Sequence, residues 1–376
     1  MNIIEEKAYL NAFRGFAILS VICVHAQLAT DYIQQYLNRT ISGDLSYFSW
    51  GRFGVSDFFL LSGYLIAMKN DTTSYRVGNY ALKRFVRIYP LWLLFLILQI
   101  VKAKSGFTDG WVGWDISSDS DSLWTYSIPV ISILALTFCL WVSGSLWNSV
   151  IPGGWSIQSE VLNYILYPII RLRTESFVLI LLTVINCLTI MLNQLFDRIE
   201  TFQNTHFYDI FLAYLRLNFA VSFGYFFLGI IAFRVMKKGL LKKLPNENSK
   251  KIIMFNFMLS IFCISFIGLP SVSGPQHESI AFIFLSLVMV RLIIPIKPIR
   301  AFLIMLGKHS YFLFYSHIQI LTAVSFLATI MHPNLLAKND KLLFLELITF
   351  TITTSIVFGR FSSAYIEKPI ANYFLK

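Results

Sequence analysis

An arginine and a histidine, Arg14 and His25, stand eleven positions apart in the first apolar run of the chain. Eleven helical steps of about 100° come to ~1100°, only ~20° past three full turns, with a rise of roughly 16 Å. Guanidinium and imidazole therefore share one face of one helix, three turns apart. Ionisable groups inside a membrane span are costly unless they face a polar interior, so each reads first as a functional group. Imidazole, with an ordinary pKa of about 6.5, suits proton removal at neutral pH. Guanidinium suits an anion. Taken singly, Arg14 could instead snorkel to headgroups, and His25 could be packed against a backbone carbonyl. Their common face argues against both.

Further polar residues fall in apolar surroundings. Asp57 stands near the start of the second apolar stretch, where it could cap a helix or meet His25, and Ser62-Gly63 follows with the small residues of close helix packing. Lys83, Arg84 and Arg87 precede the third stretch. If the helix begins early, Arg84 and Arg87 are i,i+3 neighbours and Lys83 and Arg87 are i,i+4. The group is either a topology anchor or a phosphate clamp, since guanidinium forks match phosphate oxygens. After Gly153-Gly154, which should break the element, Ser156, Glu160, Asn163, Tyr164 and Tyr167 form a polar stripe along one helical face. Glu160 could orient His25 and raise its basicity, pair with Arg14, or be a satisfied structural acid. Ser310 and His317, seven residues apart, share a face, and Glu367-Lys368-Pro369 reads as a charged cytoplasmic helix end.

The elements that position these groups follow from composition. The 376 residues are 56% hydrophobic and only 14% charged, with mean hydropathy +0.65, against about 25% charged in soluble domains. An all-α, polytopic integral membrane protein is expected. Apolar stretches fall near 9–30, 51–68, 88–103, 128–148, 156–170, 176–196, 210–236, 252–270, 279–296, 301–331 and 342–366. Basic loops at 69–87, 171–173, 237–251 and 297–300 are assigned to the cytoplasm, with both termini. That orientation needs an odd number of crossings between residues 127 and 171, where two stretches occur, so about ten crossings plus one re-entrant or broken element are expected. Residues 1–29 read as an uncleaved first span rather than a signal peptide, because Glu5 and Glu6 open it. The whole of 1–376 reads as a single transmembrane domain.

The net charge of +11 is explained by the basic loops, by a polyanionic substrate, or by both. No nucleic-acid-binding module is visible. Cys23, Cys139, Cys187 and Cys263 lie singly in apolar runs, so neither disulfides nor a metal site is expected.

Taken in order, these residues resemble the acyltransferase 3 family of bacterial membrane O-acyltransferases, from Leu10 to Pro369. The resemblance rests on Arg14 and His25 flanked by Asn11 and Gly15, Phe58-Phe59 with Leu61-Ser62-Gly63, and Arg84 with Arg87 and Pro90. Trp155-Ser156 with Glu160, Ser310-Tyr311 with His317, and Glu367-Lys368-Pro369 complete it. Asp57 departs from the pattern, which places the acidic residue one position earlier. The resemblance implies transfer of acetyl from cytoplasmic acetyl-CoA, a co-substrate rather than a resident cofactor, to a hydroxyl of a cell-envelope or exported carbohydrate. It also implies a bacterial cytoplasmic (inner) membrane location. Lys83, Arg84 and Arg87 would hold the CoA phosphates, with Arg14 along the donor path. His25 would be the general base, supported by Glu160, with Asp57, Ser62, Trp155 and His317 in accessory roles. A proton-coupled transporter is the principal rival, although no inverted repeat is visible. A non-catalytic sensor is the third reading.

Overall fold

A computed structural model describes residues 3–37, 54–71, 75–104, 153–173, 222–237, 295–331 and 339–375, with short pieces at 133, 136–138, 151 and 177. Among the described residues there are helices and their connecting turns, and no strand. In chain order the helices are α1 (Ile3–Tyr36), α2 (Gly54–Asn70), α3 (Val77–Lys104), α4 (Gly154–Arg171), α5 (Gly224–Lys237), α6 (Lys297–Lys308), α7 (Ser310–Met331), α8 (Asp340–Ser362) and α9 (Lys368–Phe374). Three described segments are long and apolar enough to cross a membrane, Lys7–Gln35, Val77–Val101 and Asp340–Phe374. The expected stretches at 128–148, 176–196, 252–270 and 279–296 lie wholly or largely outside the described residues, and so does the parity question they raise.

The chain divides into two compact units, one of Met1–Gly54, Ala81–Gln158 and Ile293–Lys376, the other of Val55–Tyr80 and Ser159–Leu292.

In the first unit α1 packs most extensively on α6 and also meets α7 and α8. The α1–α6 crossing is made by a reciprocal pair of glycines. A Cβ on Gly15 would collide with the Leu303 carbonyl, and one on Gly307 with the Asn11 carbonyl. Asn11 and Gly15 are one turn apart, as are Leu303 and Gly307, so two backbones touch with no side chain between them. Farther along α1, Ala26, Ala29 and Ile33 close on Leu321 of α7 and on Leu343, Phe344 and Leu347 of α8. Hydroxyls within α1 are satisfied locally: Ser20 Oγ donates to Phe16 O at 3.0 Å and Thr30 Oγ1 to Ala26 O at 2.8 Å. At the end of this packing seam Gln34 Nε2 donates to Asp340 Oδ1 at 2.8 Å.

Three expectations are revised here. The apolar stretch 301–331 is not one element: it breaks at His309, whose φ of −102° and ψ of 9° end α6. Pro298 starts α6, and Gly307 followed by exposed Lys308 favours an exit. At 12 residues α6 is roughly 18 Å long, short of a ~30 Å hydrocarbon core. The loop expected over 69–87 is helical from Val77. Glu367-Lys368-Pro369 is not a helix end. Ser363–Glu367 forms a π-helical turn that passes directly into α9, with Pro369 in the first turn. Proline cannot supply an N–H to the carbonyl a turn behind it, and the widened turn accommodates that loss.

In the second unit, α2 and α5 repeat the glycine device. A Cβ on Gly63 would strike the Phe226 carbonyl, and one on Gly229 the Leu60 carbonyl. This bears out the close-packing reading of Gly63.

The expected break before Glu160 also stands. Gly153 has φ +78°, a conformation that favours glycine, and α4 then runs without interruption. Within α4, Ser156, Asn163, Tyr164 and Tyr167 are buried while Ile165 and Ile169 are exposed, so the polar stripe points inward.

Candidate active site

Because α1 is continuous from Ile3 to Tyr36, Arg14 and His25 keep their three-turn spacing. Both are half-buried. The His25 ring lies against His317 of α7, with ring centroids 4.9 Å apart and planes tilted by 54°. His317 Nε2 is 3.2 Å from His25 Nδ1, and the same His25 nitrogen is 3.0 Å from Val21 O. His317 Nδ1 is 2.9 Å from Leu313 O, and the residue is 1% exposed. Sequence reading placed His317 among the accessory residues. It did not foresee the contact with His25, which joins positions 292 apart in the chain.

The basic group lies on the first turns of α3. Lys83 is exposed, and Arg84 and Arg87 are half-buried. The Arg87 guanidinium carbon stacks 4.4 Å from the ring centroid of Tyr311, in the first turn of α7. That cation–π contact holds one of the three cations in place and gives Tyr311 a function its motif did not disclose. Trp155 is the second residue of α4 and is half-buried. Gly154 before it lies flat on the Trp92 ring, where a Cβ would come within 3.3 Å.

In the second unit, Glu160 is held by hydroxyls. Ser62 Oγ donates to Glu160 Oε1 at 3.0 Å. Tyr164 OH donates to the same oxygen, and the two hydroxyls are 3.1 Å apart. Tyr80 OH fixes the backbone of this turn by donating to Tyr164 O at 3.1 Å. Ser62 is therefore part of a carboxylate–hydroxyl network, a role beyond close packing. Asp57 is 0% exposed and lies in the first turn of α2, where a carboxylate complements the positive end of the helix dipole.

One buried ion pair was missed. Arg234 of α5, 6% exposed, donates Nε to Asp71 Oδ2 at 2.9 Å, Nη1 to Arg173 O at 3.0 Å and Nη2 to Arg171 O at 2.9 Å. It thereby caps the C-terminus of α4, whose last carbonyls have no helical donors. Tyr167 OH donates to the other oxygen of Asp71 at 2.8 Å. Arg234 is one of two arginines, with Arg216, inside the apolar stretch 210–236, and that was the available signal.

Long apolar helices, with an imidazole pair in one unit and a hydroxyl-bonded carboxylate in the other, define a helical membrane protein that keeps ionisable groups in its interior. The chain belongs to the acyltransferase 3 family, whose acyltransferase domain matches residues 7–360, nearly its whole length, and the protein is a membrane acyltransferase. No curated protein and no solved structure matches it.

Proposed function

We propose that the protein transfers an acetyl group from cytoplasmic acetyl-CoA to a hydroxyl of a cell-envelope or exported carbohydrate, in a bacterial inner membrane with both chain termini in the cytoplasm. The observation that supports this reading best is the setting of His25: an imidazole on a long apolar helix, with Nδ1 held 3.0 Å from the Val21 carbonyl and 3.2 Å from His317 Nε2, which leaves proton abstraction to Nε2. His25 takes the proton of the acceptor hydroxyl, and the oxygen attacks the thioester carbonyl. The C–S bond breaks, and the CoA thiolate recovers the proton from the imidazolium. Atoms and charge balance: thioester and alcohol become ester and thiol. A positioned base is worth about 10²–10⁴-fold in rate.

The donor's phosphates fall to Lys83, Arg84 and Arg87, with Arg14 on the path of the pantetheine arm. Glu160 is assigned to the same reaction on residue type and family membership, as the carboxylate that favours the protonated base. Asp57, Ser62 and Trp155 are assigned accessory roles.

The test supplies labelled acetyl-CoA to membranes containing the unchanged protein or His25→Ala. Label reaching the envelope glycan through the former and falling at least about 100-fold in the latter supports the reading. Equal transfer by both removes His25 from the chemistry.

A further inference from the structure

We propose that His317 is a positioning residue that holds His25 as its Nδ1–H tautomer, keeping the reactive lone pair on Nε2; this rests on the reading of His25 as the base. His317 Nδ1 lies 2.9 Å from Leu313 O. A carbonyl oxygen only accepts, so this nitrogen carries hydrogen, and the Nε2 of the neutral ring is an acceptor. That Nε2 is 3.2 Å from His25 Nδ1, which also lies 3.0 Å from the Val21 carbonyl. Each of these two groups accepts. The hydrogen therefore resides on Nδ1, and the lone pair of the neutral ring on Nε2.

The Val21 carbonyl alone is a weak anchor, because it already receives the helical N–H of His25 four residues on. His317 adds a second acceptor from a different helix and so fixes the rotation of the ring as well as its tautomer. The His317 ring is itself fixed: it is 1% exposed, it lies 5.9 Å from the Phe314 ring, and its neighbour Ser316 is tied to Ser355 of α8 by a 2.9 Å hydrogen bond. When His25 gains a proton at Nε2, its Nδ1 proton still points at His317 Nε2. Transfer of that proton leaves His25 neutral with hydrogen on Nε2 and places the positive charge on His317, so two rings share it.

The conservative variants separate positioning from packing. Glutamine places an acceptor where His317 Nε2 stands. Asparagine places its polar atoms where Nδ1 stands, so it can keep the Leu313 contact and loses the one to His25. In membranes given labelled acetyl-CoA, His317→Asn is expected to lower kcat by about 100-fold with an unchanged KM for acetyl-CoA, while His317→Gln stays within about 10-fold of the unchanged protein. Equal accumulation and equal unfolding temperature of the variants are checked alongside. Should either variant fail to accumulate, ¹⁵N-histidine spectra of the unchanged full-length protein decide. A neutral His25 protonated at Nδ1 supports the inference, and one protonated at Nε2 overturns it. If His25→Ala is inactive while His317→Asn works as well as the unchanged chain, or Asn and Gln fall equally, His317 is not a positioning residue. If His25→Ala remains active, the parent reading fails instead.

Discussion

At the scale of single residues, the informative groups are polar ones that a lipid-embedded helix tolerates only with partners. Glu160 accepts from Ser62 and Tyr164 at one oxygen. Glu160→Gln keeps an acceptor there but removes the charge, so the unfolding temperature should shift by no more than a few degrees while acetyl transfer falls at least about 10-fold. Loss of transfer in step with loss of folded protein would make Glu160 structural. For the donor, Arg84→Gln and Arg87→Gln should each raise the KM for acetyl-CoA more than they lower kcat, the signature of binding lost equally from ground and transition states. A fall in kcat at unchanged KM would sink the phosphate-clamp assignment. Removing the ring beneath Arg87, in Tyr311→Leu, should give a smaller effect in the same direction, since a cation–π contact contributes about 0.5–2 kcal/mol. Arg14, His25 and Glu160 were visible in the sequence because each is an ionisable residue in an apolar run. The nearness of His317 to His25 was not. Spacing reports only which residues share a face of one helix, and these two are brought together by the packing of α1 on α7.

Elements show a different division. Helix faces were legible: the inward stripe of α4 and the small-residue contact at Gly63 follow from a period of 3.6. Helix breaks were less so. The stretch 301–331 is apolar on average, and the polar group Lys308-His309-Ser310 that marks the break between α6 and α7 is too short to divide it in a hydropathy profile. Gly307, just before the break, packs on the Asn11 backbone, a tertiary constraint that hydropathy does not report. Adding a methyl group at such a crossing should cost about 1–3 kcal/mol through overpacking. Gly15→Ala, Gly307→Ala, Gly63→Ala and Gly229→Ala should therefore each lower the unfolding temperature in detergent, whereas Gly78→Ala, with nothing near its Cβ position, should not. At the end of α4, Arg234→Ala leaves Asp71 without its 2.9 Å partner and frees the Arg171 and Arg173 carbonyls. Breaking a buried pair on one side costs about 3–5 kcal/mol. Lysine has no fork to reach three acceptors, so Arg234→Lys should recover little of that loss in an unfolding measurement.

For the whole molecule, composition alone identified a helical membrane protein, and the ordered set of residues identified its family. What stayed out of reach is the path of the chain. Hydropathy counts apolar stretches, but re-entrant and crossing segments have the same composition, and α6 shows that an apolar helix need not be long enough to cross. The orientation proposed above requires an odd number of crossings between residues 127 and 171. Reporter fusions after residues 127 and 175 should then report opposite sides of the membrane, and the same side for both would reverse the assignment of the Arg171–Arg173 loop.

The glycine crossing of α1 and α6 has a consequence for distance. Gly15 precedes His25 by ten residues, and Gly307 precedes His317 by ten, so both chains advance roughly 15 Å from the same knot before their rings meet. The two segments work as matched callipers. One arm carries a single joint at His309, and the gap between the nitrogens depends on equal arm lengths. Inserting one alanine after Lys308 leaves the knot tied but lengthens and turns that arm, so the protein should still assemble while acetyl transfer disappears. Inserting one after Asp71, which lies on neither arm, should leave the spacing of the two imidazoles as it was.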